Sequence, residues 1–233
     1  MNKKTNIEKQ INDFLEGKGK SNGRYPNERY CSFDFCYNYF YSFYKKNKIH
    51  EISSKENMQM SCLQLGFYLA SWGMMRGSSF LLQKSVKNFS DLIKVISRQD
   101  KILWEIDVPD YENDESISIL LDAKEDIKEA LDIKNRPSDT LITKIMLGVF
   151  GNVPAFDKYF KESMSVNSLN KKSLLKIHEF YLKNRKVIDS YDIETFDFNE
   201  KERKNIVYTK AKIIDMYAFI DGQNKNKIIK NDK

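Results

Sequence analysis

Apolar residues recur at three- and four-residue intervals through almost every part of this chain, and that periodicity limits the fold more than any other feature. Ile7, Ile11, Phe14 and Leu15 keep the spacing in residues 5–16, and Leu65, Leu69 and Trp72 keep it in an apolar helix over 58–75. Phe89, Leu92, Ile93 and Ile96 continue it, as do Leu174, Ile177, Tyr181 and Ile188, then Ile206, Ile213, Ile214 and Ile220. Only residues 193–200 alternate with period two, and they read as an extended connector. The pattern predicts an all-α, compact bundle of about eight to ten helices with no sheet and no internal repeat.

With 233 residues, 41% of them hydrophobic, the chain has enough apolar surface for a large core without metal or disulfide support. The expected organisation is a flexible basic N-terminal segment with a short helix over 1–25, one helical domain over 26–222 and a disordered basic tail over 223–233. Two lobes meeting near 104–116 are an alternative. Gly222 is expected to end the last helix. The segment 31–44 (CSFDFCYNYFYSFY) is aromatic on two sides, so it suits a core helix, with tyrosine hydroxyls near solvent available to stack bases.

Three cysteines and two distant histidines, His50 and His178, do not make a zinc site, so no metal and no cofactor are expected. His178 fits a hydrogen-bonded core position. Pro109-Asp110 followed by Asp126-Ile127-Lys128 imitates a metal-nuclease pattern, but residues 115–133 read as helix, which cannot converge those carboxylates on one cation. The first ten residues hold no apolar signal core and no later run is long enough to span a membrane, so a cytoplasmic protein without a membrane partner is expected. The oligomeric state is not legible.

The formal net charge is +6, yet residues 105–132 are strongly acidic, so the remainder is more basic than the total suggests. That balance permits a polyanion partner, placed away from the acidic face. The basic, glycine-rich loop 17–23 could follow phosphates through Lys18 and Lys20, with Arg24 behind it.

Residues 140–160 (TLITKIMLGVFGNVPAFDKYF) read as a helix stopped at Gly148, a tight turn through Gly151, and a second helix opened by Pro154 with Asp157 in its first turn. Residues 72–80 (WGMMRGSSF) place Arg76 between two glycines, beside Trp72 and two serines. This is either a pocket wall with an arginine fork or an arginine tying down loop carbonyls.

The pattern TKxxLGxxGxxPAFDxxF at 143–160 resembles the core of helix-hairpin-helix DNA glycosylases. Together with residues 72–80 it also resembles a group of small bacterial proteins, for which a role against phage is an expectation. The glycosylase resemblance implies a double-stranded DNA partner, gripped through Gly148, Gly151, Lys158, Lys18, Lys20 and Arg24. One base would be flipped out. Asp157 would stabilise the sugar cation or orient water, Lys144 would be the amine for a covalent imine, and Trp72, Arg76, Ser78 and Tyr39 would line the base pocket. The function implied is removal of a damaged or modified base. The alternatives from the residues alone are a non-catalytic nucleic-acid binder and a helical protein-interaction module.

Overall fold

The computed structural model describes residues 6–18, 21–131, 134, 137–199 and 206–231. Lys20 and Arg136 lie outside the described residues. Among those described the chain is all-helical. Nine α-helices follow in order: α1 (Asn6–Glu16), α2 (Ser32–Lys45), α3 (Met58–Ser71), α4 (Ser90–Ile96), α5 (Asp114–Ala130), α6 (Asp139–Phe150), α7 (Lys158–Met164), α8 (Lys171–Asp189) and α9 (Lys210–Asn231). Short 3-10 turns join several of them. No strand occurs among the described residues, and the connector after α8 makes only an isolated antiparallel bridge, Glu194 to Val207. The nuclease-like Asp126 lies on α5, and Asp110 lies in the 3-10 turn Val108–Glu112.

Two helices lie at the centre. Every residue of α6 from Leu141 to Phe150 is buried, and so is α9 from Ala211 to Met216. Buried apolar residues from before and after 104–116 join one contiguous core, with Trp104 stacked on Tyr44 and edge-on to Phe150. His178 donates from Nδ1 to the Val108 carbonyl at 3.0 Å, as expected of a core histidine.

The hairpin differs from its sequence reading in three places, each for a packing reason. Gly148 does not end α6. It sits inside the helix, where a Cβ would collide with the Tyr68 ring of α3, so glycine permits a close helix crossing. The helix closes three residues later, at Gly151, whose φ of 72° is the left-handed conformation of a C-terminal cap and whose amide donates to the carbonyls of Met146 and Leu147. Pro154 does not open the next helix. Residues 152–156 are irregular, and α7 begins at Lys158 with Asp157 as its N-cap, the carboxylate accepting from the Phe160 amide at 2.9 Å.

Gly222 likewise does not stop the last helix. α9 runs through it to Asn231, and Gly222 lies against the backbone of Tyr159 in α7. The segment expected to be a disordered tail thus carries the end of α9. The N-terminal segment is also part of the fold, since α1 packs on α9 and buries Ile7, Ile11 and Phe14.

Arg24 is buried. It forks onto Asp34, with Nη2 at 2.5 Å and Nε at 3.1 Å from Oδ2, and Nη2 also reaches the Glu194 carbonyl. Asp34, fully buried, further accepts from the Tyr208 hydroxyl and the Phe196 amide. The guanidinium lies between the Phe196 and Tyr208 rings, 4.3 and 4.7 Å from their centroids. Nε and Nη2 of Arg24 are therefore spent inside the fold, on Asp34 and the Glu194 carbonyl, and not on the surface phosphate contact expected of this residue.

Gly222→Ala tests the helix crossing. The new methyl has only the Tyr159 backbone to meet, so urea unfolding is expected to register a loss of about 1–3 kcal/mol, the range for overpacking. An unchanged midpoint would show that α9 and α7 do not approach this closely.

Candidate functional site

A large cleft is assembled from the 18–30 region, α7 and the C-terminal part of α9. Gly17 and Gly23, at φ 90° and 81°, lie against one another, and the Arg24 amide donates to the Leu15 carbonyl at 2.8 Å. No residue with a side chain takes these angles cheaply. This contact presents Lys18, Ser21 and Asn22 beside the 3-10 turn Arg29–Cys31. Lys158 and Tyr159 from the start of α7 form the second wall, and Gln223, Asn226 and Lys227 from the end of α9 form the third. The enclosed volume is about 700 Å³.

Its charge is lopsided. Four cations line it against one carboxylate, Glu28, which accepts from the Asn22 amide at 2.9 Å. Lys18 is held by Asp13 at 2.8 Å. Arg29, Lys158 and Lys227 are exposed, and among the described residues none of the three has an ion-pair partner. No described residue of the acidic segment 105–132 lines the cleft.

Arg29 is positioned by rings. Its guanidinium carbon lies 5.3 Å from the centroids of both Tyr30 and Trp72. Phe14, Tyr30 and Trp72 form a stacked ladder with centroids 4.4 and 5.5 Å apart, and Phe219 meets all three edge-on. A guanidinium laid on aromatic faces keeps its N–H edge free for a planar anion such as phosphate.

Beneath the ladder lies a buried charge cluster. Lys212 is 1% exposed, and its ammonium donates to Asp215 Oδ2 at 2.9 Å. It also lies over the faces of Phe33, Phe14 and Trp72, at 4.7, 5.0 and 5.6 Å. Asp215 uses its other oxygen to accept from the Ala155 amide at 3.1 Å. Lys144, 4% exposed, approaches Asp157 Oδ2 at 3.6 Å and the Trp72 centroid at 5.0 Å. Burial pushes the Lys144 pKa down; Asp157 and Asp215 oppose that shift, and Lys212 adds to it. The indole N–H of Trp72 is buried and finds no acceptor among protein groups.

The residues singled out in the sequence therefore separate into groups. Asp157 and Lys144 do meet, as a half-buried carboxylate and a buried amine, and Trp72 lies over them. Lys158 and Lys18 reach the large cleft. Gly148 and Gly151 lie inside and at the end of α6, their surroundings filled by Tyr68 and Tyr37, so they line no anion site. Arg76 and Ser78 are exposed in a second cleft of about 650 Å³, together with Gly73, Phe80, Ser138 and Thr140. Tyr39 is elsewhere, bonded to Ser61 Oγ at 2.9 Å beside a small cavity near Phe198. Sequence reasoning missed Arg29, Lys227, Lys212 and Asp215. The only hint of the last two was a lysine and an aspartate three apart within the apolar run of the final helix.

Comparison with protein-family models, with curated proteins and with solved structures gives no match. The glycosylase resemblance accordingly stands on its short motif alone.

Asp215→Ala would strand the Lys212 ammonium in the core and free the Ala155 amide. A loss of about 3–5 kcal/mol in urea unfolding is expected, the range for a buried pair deprived of one member. Adding Lys212→Met should recover much of it. Equal stability of Asp215→Ala and the parent would show that the pair is not isolated from water.

Proposed function

We propose that this protein binds nucleic acid through the cleft between the 17–30 loop, α7 and α9, without altering it chemically. The observation that carries the reading is the set of three exposed cations, Arg29, Lys158 and Lys227, facing one cavity with no carboxylate assigned to them. A protein that kept these charges only for solubility would gain by dispersing them, since like charges gathered around one cavity repel each other. Phosphates reverse that balance, because each contact releases counterions. Arg29 adds a planar fork fixed on two rings, and Tyr159 adds an aromatic wall.

The test is fluorescence anisotropy with labelled DNA strands and duplexes of about 15 nucleotides, titrated between about 50 and 200 mM salt. Binding should weaken steeply with salt. Replacing Arg29, Lys158 and Lys227 together by alanine should lower the slope of log affinity against log salt by about 2, at roughly 0.7 per contact on a strand. Binding that is insensitive to salt, or untouched by the triple substitution, would remove this reading.

One further observation favours base excision as a second reading: Lys144 and Asp157 form a lysine–aspartate pair in which burial lowers the amine's pKa. Against it, Asp157 already spends one oxygen on the Phe160 amide and turns the other to Lys144, while Lys144 lies under Trp72. Duplexes carrying modified bases, incubated with the protein and then treated with alkali, should therefore yield no strand breaks above background. Breaks that appear with the parent and vanish with Asp157→Asn would establish excision and displace the non-catalytic reading.

A further inference from the structure

The two clefts are separate cavities, but the chain joins their rims twice. Thr140 lines the second cleft, and its hydroxyl donates to the Phe156 carbonyl at 2.7 Å. Phe156 is two residues from Lys158, which lines the first. Two trans peptide units span at most roughly 7 Å, so residues 156–158 tie a residue bonded to the rim of one cleft closely to a lining residue of the other. The other junction is Trp72. Arg29 of the first cleft lies over its ring, and the next residue, Gly73, lines the second.

Gly73 has a φ of 76°, and Arg76 folds back across it so closely that a Cβ there would meet the Arg76 Nε at 2.8 Å. The guanidinium is thereby held near the Trp72 junction while the residue stays exposed, with no ion-pair partner among the described residues. An arginine without an ion-pair partner among the described residues thus stands in each cleft, Arg29 over the Trp72 ring and Arg76 against the neighbouring Gly73.

We propose that the two clefts form one track for a single strand of nucleic acid, crossing the ridge at Trp72 and Asp157 with Arg29 and Arg76 as its two phosphate contacts; this rests on the nucleic-acid reading of the first cleft. Cavity size selects the strand over the duplex. Volumes of about 700 and 650 Å³ are those of small-molecule sites, matched to a few nucleotides rather than to the width of a double helix. The walls also supply ring faces, Tyr159 in one cleft and Phe80 in the other, which an unpaired strand can use and a stacked duplex cannot.

The experiment uses the full chain and one labelled DNA strand of about 12 nucleotides, long enough to occupy both clefts. Stoichiometry is read by titration at high protein concentration, and affinity by anisotropy. One strand per protein is expected, with Arg76→Ala and Arg29→Ala each weakening it several-fold and Arg76→Glu weakening it further. The same sequence as a duplex should bind less tightly. Two strands per protein, preference for the duplex, or affinity unchanged in both Arg76 variants would overturn the track. If Arg29→Ala still weakens binding in those cases, the first cleft keeps its function. If Arg29→Ala has no effect either, or no strand binds, both readings fail together. Arg76 is exposed and carries no ion pair, so its substitution is expected to leave the circular dichroism and melting curve of the parent.

Discussion

The ion pair between Lys212 and Asp215 governs how this molecule is put together. An ammonium that is 1% exposed is tolerable only with a carboxylate in contact, and here the carboxylate has a second task. Its free oxygen takes the Ala155 amide, which fixes the irregular segment leaving α6. Two residues on, that segment places Asp157 to cap α7 and to meet Lys144. The start of α7 then sets Lys158 and Tyr159 in the wall of the large cleft. A chain of contacts thus runs from the first turns of α9 to the surface.

Cations in this protein sort by whether they have been given an anion. Arg24, Lys144 and Lys212 are buried, and each faces a carboxylate and at least one aromatic ring. Arg29, Lys158, Lys227 and Arg76 are exposed and border a cavity. Trp72 is where the groups touch, with Lys144 and Lys212 near its ring along with Arg29. An indole face attracts cations through its quadrupole, so one side chain holds both interior lysines and a surface arginine in register.

Much of the architecture was legible from periodicity alone. Apolar spacing gave the helices and the absence of a sheet, because both follow from local geometry. The sequence also singled out Trp72, Lys144 and Asp157, which do come together. Glycine was where the reading erred. Gly148 and Gly222 look like stop signals, yet both lie within helices at places where another chain passes too close for a Cβ. A helix end and a helix crossing call for the same residue, and only the partner, Tyr68 or Tyr159, tells them apart. Arg24 and Arg29 posed a similar difficulty. They stand five apart in one polar stretch, and which one turns inward depends on Asp34, Phe196 and Tyr208, residues up to 184 positions away in the chain.

The continuity of α9 through Gly222 has a thermodynamic consequence. At 1.5 Å per residue, Lys227 stands roughly 18 Å along the same rigid rod from Asp215. Whatever occupies the cleft therefore grips the outer end of the helix whose middle completes the core. Occupancy and folding become linked quantities: a ligand that holds only the native form of this rod withdraws it from the unfolding equilibrium, and the protein's resistance to denaturation becomes a gauge of how full the cleft is.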